Sequence, residues 1–385
     1  MSYDVDALRQ REFPWAARGE RRYLNNASTG PLPERTVQAV GDAIRMRAEP
    51  YRLHDDDLFA ILARARALSA RLIGAAPAEI ALSVNTTYGL NIAAQALPLV
   101  AGDVVLAFDR EFPANIYPWM ALEEAKGVML RLVPCANGLP DEDELVRRLD
   151  DARVRVVAVS WVSFASGARV DLARLGRLCR ERGIYFVVDA IQGVGATPLD
   201  VHECQIDILA CGGQKWLLSP WGTGFTYVRE ALVQQLRPVT VGWMAVRGSD
   251  DFTRLVDYDL TWRDDARRFE VITLPFHDFA GFNASVGLLF ELGIDAVAAH
   301  VASLVTAIVT ATAAHGELAL VTPARPSARA GIVSVRPRDA AAASARLERA
   351  GITHSVREGA IRLSPHCYNT RDEVERAVAA LPEPR

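Results

Sequence analysis

Apolar runs of strand length alternate with amphipathic helical stretches over the first 230 residues, and this alternation limits the possible folds more than any other feature. Strands are predicted at 80–84, 104–108, 128–133, 154–160, 185–189, 208–211 and 224–228. The intervening helices are predicted at 58–73, 89–97, 119–125, 141–150 and 172–182. Because 154–160 and 185–189 are almost continuously apolar, they have the character of strands buried on both faces. This order predicts an α/β domain with a mainly parallel sheet covered by helices.

The pattern changes after about residue 240. A stretch rich in proline, glycine and charged residues, 237–268, leads into predicted helices at 279–292, 295–315, 340–350 and 371–381, with strands at 333–336 and 360–364. This order predicts a smaller α+β domain at the C-terminus. We therefore expect a large domain at 18–262 and a small domain at 263–385, with residues 1–17 packed on the small domain.

Composition weighs against several classes of function. The 385 residues carry a formal net charge of −4 and contain no basic stripe of the kind that binds nucleic acid. We expect the apolar runs to fall short of the roughly 18 residues that a membrane span needs, and the charged N-terminus lacks a signal-peptide core. None of the five cysteines lies in a CxxC pair or has zinc-ligand spacing. We expect a cytoplasmic protein with reduced thiols, no metal, and no nucleic-acid or membrane partner.

Lysine is almost absent from this arginine-rich chain. Of the 43 Lys and Arg residues, only Lys126 and Lys215 are lysines. Lys126 lies between two glutamates and Gly127, which is typical of the exposed last turn of a helix. Lys215 lies in the apolar context CGGQKWLL, where partial desolvation makes a lysine a nucleophile, whereas arginine stays protonated and forms no imine. On this feature alone, a functional Lys215 and a loop lysine without a functional role are equally supported.

Three polar residues follow buried strands in the densest part of the sequence. Asp189 ends one predicted strand, Gln192 lies three residues on, and Lys215 follows a second strand. Because ligands of open α/β sheets bind at the carboxyl ends of strands, we expect these groups at one edge. Singly, Asp189 is explained equally well as a helix N-cap and Gln192 as a solvated residue. Together they suit pyridoxal 5′-phosphate (PLP): Asp189 for its ring nitrogen, Gln192 for its phenolic oxygen, and Lys215 for a Schiff base.

A possible anion site opens the helix predicted after residue 84. The segment 85–89 reads Asn-Thr-Thr-Tyr-Gly. The hydroxyls of Thr86 and Thr87, with free backbone N–H groups at a helix N-terminus, suit a phosphate. Taken alone, the segment is better explained by simple helix capping.

The segments VVDAIQ, GGQKWL and GTGFTYV resemble the PLP-binding core of the class V aminotransferase superfamily, and the resemblance extends from Tyr23 to about Leu381. It implies PLP-dependent transferase fold type I and a homodimer with shared active sites that acts on a small-molecule amino acid. Isopenicillin N epimerase-like and cysteine desulfurase or selenocysteine lyase-like proteins are the most similar. The stretch with Asn26 and Ala27 resembles the N-terminal substrate loop of this superfamily.

The resemblance also implies roles for residues outside this core. Phe112 takes the place of the ring that stacks on the cofactor, and Gln214, directly before the cofactor lysine, helps to hold the phosphate. Thr273 lies in a segment that resembles RFExGT, whose threonine reaches the phosphate of the neighbouring subunit. Arg362 resembles the arginine that clamps the substrate carboxylate, a bidentate task suited to a guanidinium group.

Several positions depart from the desulfurase pattern. Phe112 stands where desulfurases have a histidine, and Gln214 replaces the usual histidine before the lysine. The segment 353–359 lacks the catalytic cysteine, and Cys367, which follows Arg362, is expected to be structural. Persulfide chemistry on a protein cysteine is therefore not expected. His354 and His366 flank Arg362; either suits an extra acid or base, although surface or packing roles are favoured.

These features favour a PLP enzyme that acts on an α-amino acid through Lys215 by epimerase-like or C–S (β-elimination) lyase-like chemistry. A class V transaminase is the alternative. A cysteine desulfurase, an NAD-dependent dehydrogenase and a non-catalytic PLP-fold protein are weaker alternatives. The GxG segments 193–195 and 222–224 do not continue as GxGxxG, which weakens the dinucleotide hypothesis. Retention of the aspartate, glutamine and lysine argues against a non-catalytic protein.

Overall fold

The computed structural model describes residues 3–382. The strands are β1 (Arg22–Tyr23), β2 (Ile80–Leu82), β3 (Val104–Phe108), β4 (Met129–Val133), β5 (Val154–Ser160), β6 (Tyr185–Asp189), β7 (Ile208–Gly212), β8 (Gly224–Val228), β9 (Ala319–Leu320), β10 (Val333–Arg336), β11 (Ile352–Thr353), β12 (Ser355–Arg357) and β13 (Ala360–Leu363). The helices are α1 (Val5–Glu12), α2 (Pro14–Ala17), α3 (Glu34–Ala48), α4 (Asp55–Leu72), α5 (Thr86–Ala96), α6 (Tyr117–Lys126), α7 (Glu142–Arg148), α8 (Leu172–Glu181), α9 (Glu230–Gln235), α10 (Phe276–Leu292), α11 (Ile294–Ala313), α12 (Ala340–Arg349) and α13 (Arg371–Ala379). Each strand and helix named from the sequence is present, with ends that differ by no more than about three residues.

A seven-stranded sheet forms the centre of the molecule, in the order β2-β8-β7-β6-β5-β3-β4. Strand β8 runs antiparallel to both of its neighbours, and the other pairs in the sheet are parallel. The predicted α/β class with a mainly parallel sheet is confirmed. The carboxyl ends of β5, β6 and β7 therefore meet at one edge.

The central strands are buried on both faces, as their apolar sequences predict. Along β5, Val156 and Ala158 belong to the core on one face of the sheet, while Val157 and Val159 belong to the core on the other. Successive side chains of a strand point to opposite faces, so helices must cover both. A strand of this kind places its last residue at the sheet edge with little freedom.

A second, four-stranded antiparallel sheet follows, in the order β12-β13-β10-β9. Arg362 lies on β13, where it pairs with Ser334 on one side and with Ser355 on the other. Strand β1 pairs in parallel with β11, which joins residues 22–23 to 352–353. This pairing brings the N-terminal loop beside Arg362, although more than 300 residues separate them in the sequence.

The N-terminal segment contacts the C-terminal part of the chain. The Tyr3 hydroxyl donates to the carbonyl oxygen of Cys367 at 2.9 Å, and Arg9 pairs with Glu373 at 2.9 Å. The domain boundary at residue 262 stays a prediction.

Helix α11 corrects one expectation from the sequence. It is long and apolar enough, by length and composition, to cross a membrane, so the statement that every apolar run is too short was wrong. In the fold, Val301, Leu304 and Ile308 of this helix are buried in the protein core. A buried core helix and a spanning helix share the same composition, and only the packing of α11 distinguishes its environment here.

Candidate active site

Asp189 lies at the edge where the parallel strands end. It is the last residue of β6, it is only 3% exposed, and it pairs in register with Ser160 of β5 and Ala210 of β7. One carboxylate oxygen, Oδ1, accepts a hydrogen bond from the backbone N–H of Ile191 at 3.1 Å. Burial raises the pKa of Asp189 to about 6, although the Ile191 N–H and the charge of Lys215 act in the opposite direction.

Lys215 lies in the loop that follows β7, within electrostatic reach of Asp189. Burial lowers the pKa of Lys215 to about 8, and the Asp189 carboxylate opposes this effect while Arg362 adds to it. Desolvation disfavours the charged form of both groups, so the amine and the carboxyl titrate closer together than they would in water. A lysine of this kind is neutral often enough near neutral pH to act as a nucleophile and base.

An aromatic ring lies above the Lys215 amine. The Nζ atom is 5.6 Å from the centroid of the Phe112 ring. Phe112 packs edge-to-face on Phe164, with 5.3 Å between centroids, and remains 45% exposed. Its ring therefore offers a flat apolar surface beside the amine and is also partly exposed to solvent.

Gln192 is buried and holds two other parts of the site. Its Nε2 donates to the carbonyl oxygen of Ala27 at 3.0 Å, and its Oε1 accepts from the indole Nε1 of Trp216 at 2.9 Å. One amide N–H of Gln192 is used in this way, and the side chain has a second N–H to donate.

The N-terminus of α5 meets the same loop. The N-cap Asn85 accepts from the backbone N–H of Tyr88, and the buried hydroxyl of Thr86 accepts from the backbone N–H of Gly212 at 2.9 Å. Gln214 also lies here, because a Cβ added to Gly212 would lie 2.5 Å from the Gln214 Oε1 and 3.3 Å from the Thr86 Oγ1. Thr87 is exposed on the first turn.

Arg362 is a buried guanidinium group without an acidic partner. It is 2% exposed and donates to the Ser355 hydroxyl (3.0 Å), the Phe164 carbonyl (2.8 Å) and the Ser28 hydroxyl (2.7 Å). Within residues 3–382, no carboxylate lies within 4.0 Å of it. Burial lowers the pKa of Arg362 to about 10, Arg357 lowers it further and Tyr23 raises it. A buried, unpaired cation of this kind suits an anionic ligand group.

The remaining predicted site residues are used differently or lie apart. The Asn26 Nδ2 donates to the Ser364 carbonyl at 2.7 Å, and its Oδ1 accepts from the Tyr368 hydroxyl at 2.9 Å. The backbone N–H of Ala27 donates to the Ser364 hydroxyl at 3.0 Å. These contacts fix the N-terminal loop on the small sheet. Thr273 is exposed, in the segment before α10.

Glu111 is a site residue that the sequence did not single out. Its carboxylate accepts from the backbone N–H of Ser160 at 2.8 Å and from the Ser160 hydroxyl. Burial raises the pKa of Glu111 to about 7; the hydrogen bonds from Ser160 act against this, and the charge of Asp189 adds to it. The one available signal was its place directly before Phe112, after the end of a predicted strand.

The cysteines and histidines do not form a metal site in the described part of the chain. Cys367 is fully buried, and burial raises the pKa of its thiol well above the ordinary value. His354 hydrogen-bonds to the Ser344 hydroxyl at 2.8 Å, outside the group around Lys215. His366 is fully buried beside Trp216, with 5.4 Å between ring centroids.

Comparison with known proteins identifies one family. The model of the family described as Aminotransferase class V matches residues 22–377. The uncharacterized aminotransferase YcbU of Bacillus subtilis is 29% identical over 310 residues, which cover 80% of each chain. The isopenicillin N epimerase of Streptomyces clavuligerus is 30% identical over 373 residues, 93% of each chain. A mutant of C-DES with glycine covalently linked to its PLP cofactor has a similar structure, with a TM-score of 0.88 at 23% identity over 97% of this chain and 98% of that one.

Proposed function

This chain belongs to the class V aminotransferase family, whose members are PLP-dependent enzymes, and we propose that it acts on an α-amino acid by epimerase-like or C–S lyase-like chemistry. The family membership and the PLP cofactor are the premises. The choice of reaction and the residue roles that follow are proposals.

The observation that carries the proposal is the pair formed by Lys215 and Arg362. A substrate amino acid brings an amine and a carboxylate separated by one carbon atom. Arg362 is buried and donates to three neutral hydrogen-bond acceptors, and no carboxylate of residues 3–382 lies within 4.0 Å of it. Its charge acts on Lys215. A carboxylate bound by Arg362 would satisfy the guanidinium and hold the α-carbon near the lysine.

The residues around Lys215 fit PLP. The buried Asp189 carboxylate accepts one hydrogen bond, from Ile191, and keeps acceptor capacity for a protonated ring nitrogen. The Phe112 ring provides a face for a flat aromatic group. We propose that the second N–H of Gln192 donates to the phenolic oxygen. The bound cofactor supplies an electron-withdrawing ring that stabilises negative charge at the substrate α-carbon.

The ionisable residues suit proton transfer near neutral pH. Asp189, with a pKa of about 6, is ionised above that pH and so can keep a ring nitrogen protonated. Lys215, with a pKa of about 8, is partly neutral and can remove a proton from the α-carbon and return one. Phe112, packed edge-to-face on Phe164, forms an apolar side of this space next to the amine. Epimerisation, elimination and transamination all begin with this proton removal.

We propose that the phosphate lies against the N-terminus of α5, where Thr86, Thr87 and Gln214 supply donors. The backbone N–H groups of the first turn have no partner within the helix and attract an anion. Asn26 and Ala27 stay predicted substrate-loop residues. Their hydrogen bonds to Ser364 support a role in holding the loop, with Ser28 as the member of that loop that contacts Arg362.

Cysteine placement supports a reaction other than desulfuration through a protein cysteine. Residues 353–359, on β11, β12 and the turn after them, contain no cysteine. Cys367 is fully buried, and its raised pKa keeps the thiol protonated. A thiolate is the nucleophile in persulfide chemistry, and a buried, protonated thiol supplies none.

We also propose a homodimer in which a second copy completes the site with Thr273. Support comes from exposed large apolar side chains such as Trp221 (71% exposed) and Tyr258 (91% exposed). A cavity of about 350 Å³ beside the N-terminus of α5 is lined by Thr87 and Phe269 among others. Aromatic side chains are enriched at protein interfaces relative to the rest of the surface. Sedimentation or light scattering at micromolar concentration tests the dimer, and a monomer would contradict it.

The cofactor site is tested with the two lysines of the chain as a matched pair. Purified protein is loaded with PLP, reduced with borohydride and digested. We expect the cofactor on the Lys215 peptide in the wild type and in Lys126→Ala, and its loss in Lys215→Ala. Label on Lys126, or a Lys215→Ala protein with the wild-type visible spectrum, would contradict the assignment.

The reaction type is tested with amino acids and the PLP-loaded enzyme. Release of pyruvate and ammonia, together with sulfide from cysteine or cysteine persulfide from cystine, indicates a lyase. Loss of optical activity without other products indicates an epimerase. Amino transfer that requires a keto acid indicates a transaminase and would overturn the proposed reaction while leaving the family membership intact.

A further inference from the structure

His366 connects the strand that carries Arg362 to the loop that carries Lys215. It lies four residues beyond Arg362, in the segment after β13, and its ring is fully buried. Its Nδ1 accepts from the backbone N–H of Cys367 at 2.6 Å, so Nε2 carries the proton and donates to the carbonyl oxygen of Trp216 at 3.0 Å. Both ring nitrogens are therefore used, and the tautomer is defined.

Trp216, the residue directly after Lys215, is held at both its backbone and its side chain. The carbonyl oxygen binds His366, and the indole Nε1 donates to the Oε1 of Gln192 at 2.9 Å. Gln192 in turn donates to the carbonyl oxygen of Ala27 at 3.0 Å. Three consecutive hydrogen bonds thus connect residues 366, 216, 192 and 27, and they run next to Lys215.

Close packing against three glycines restricts the position of the segment that contains Lys215 and Trp216. A Cβ added at Gly331 would lie 2.3 Å from the Trp216 ring, and a Cβ added at Gly195 would lie 2.4 Å from the Trp216 carbonyl oxygen. At Gly30 a Cβ would lie 2.1 Å from the carbonyl oxygen of Lys215. Glycine is required wherever another backbone or ring approaches so closely. These close contacts limit where residues 215–216 can lie, and the hydrogen bond from His366 to the Trp216 carbonyl adds a directional contact.

We propose that His366 is a positioning residue that holds Lys215 and Gln192 at a fixed place relative to Arg362. The inference rests on the proposed function, in which Arg362 binds the substrate carboxylate and Lys215 moves the α-proton. A reaction at one carbon between two anchors depends on their separation, and a shift of about 1 Å costs about 100-fold in rate. His366 reaches the lysine loop from the strand segment that carries the arginine, so the two anchors move together.

The neutral state of His366 belongs to this role. Burial lowers its pKa to about 4, and the hydrogen bond to Trp216 opposes that effect. The titratable groups that act on Lys215 are Asp189, Arg362, Cys211 and Arg357, and a neutral imidazole adds no further repulsion. His366 therefore acts through geometry and leaves the local charge balance unchanged.

The test exploits the two lysines of the chain. Reductive methylation with ¹³C-formaldehyde labels the primary amines of the cofactor-free protein, which are Lys126, Lys215 and the N-terminal amine, and the Lys126→Ala and Lys215→Ala variants assign the two lysine signals in the NMR spectrum. In His366→Phe, the ring stays but both nitrogens are lost. We expect the loop to admit water and the pKa of Lys215 to rise from about 8 by about one pH unit or more, while the Lys126 signal stays as in the wild type.

Two further variants separate positioning from general stability. His366→Gln keeps an N–H donor and is expected to restore most of the wild-type Lys215 titration. His354→Phe changes the other histidine near Arg362, which bonds to Ser344 instead, and is expected to leave Lys215 unchanged. His366→Leu replaces His366→Phe if the larger ring prevents folding. Urea unfolding is measured for each variant.

An unchanged Lys215 titration in a folded His366→Phe protein, with only the unfolding midpoint lowered, would overturn the proposal. So would an equal shift in His354→Phe. Failure of the proposed function is distinguishable, because it appears as absence of PLP on Lys215 in the wild type, whereas the ¹³C measurement uses the protein without cofactor.

Discussion

Replacement of Arg362 by methionine separates the function of the buried arginine from its contribution to stability. The guanidinium is buried and makes three hydrogen bonds to neutral groups, and no carboxylate of residues 3–382 lies within 4.0 Å of it. A hydrogen bond to a charged group contributes about 1.5–3 kcal/mol, so the two bonds of a bidentate carboxylate contact are worth about 3–6 kcal/mol. We expect Arg362→Met to weaken amino-acid binding by about 10²–10⁴-fold.

The assay uses two ligands that differ by a carboxylate. Alanine and isopropylamine are titrated into the PLP-loaded protein, and the change of the visible spectrum reports binding. The wild type should prefer alanine strongly, and Arg362→Met should bind both with similar, weak affinity. The two curves isolate the carboxylate contact because the amine is the same in both ligands.

The stability of the same variant is expected to change little. Removal of an unpaired buried charge recovers its desolvation cost, and this offsets the lost hydrogen bonds, so the free energy of unfolding should stay within about 1 kcal/mol of the wild type or rise. Arg9→Met is the matched control, because Arg9 is also buried but pairs with the buried Glu373. Its loss leaves that carboxylate unpaired and should cost about 3–5 kcal/mol. Equal destabilisation by the two variants, with the preference for alanine retained, would refute the reasoning.

Two other variants test the surroundings of Lys215. The pKa of Glu111 is raised to about 7, so its neutral form stabilises the fold below pH 4.5 and this contribution is lost as pH rises through 7. Glu111→Gln should therefore flatten the decline of the urea unfolding midpoint between pH 4.5 and 7. An unchanged pH profile of the midpoint would contradict the raised pKa of Glu111. Gly331→Ala places a Cβ 2.3 Å from the Trp216 ring. It should lower the free energy of unfolding by about 1–3 kcal/mol, measured with urea, and weaken PLP retention. Gly287→Ala, which has open space around its Cβ, is the control and should change neither.

Local pattern determined the elements and the order of the fold. The strands around Asp189 and Lys215 were predictable because a strand buried on both faces needs a short, continuous apolar run, and because such strands end at a ligand-binding edge. Lys215 was singled out because lysine is rare in this arginine-rich chain and this one lies in an apolar context; its role as the cofactor lysine stays a prediction. The resemblance to the family added Arg362, which no local pattern indicates.

The tertiary structure decided what depends on neighbours distant in the sequence. The length of α11 suggested nothing about its burial, and β1 joins β11 across more than 300 residues without a signal in either segment. The hydrogen-bond partners of the Glu111 carboxyl and of the His366 ring, which are Ser160 and the carbonyl of Trp216, could not be predicted because only the fold brings them together. Desolvation and hydrogen bonding depend on every group within a few ångströms, whatever its place in the chain. The sequence therefore predicts which residues can do chemistry, and the packing determines their ionisation and their partners.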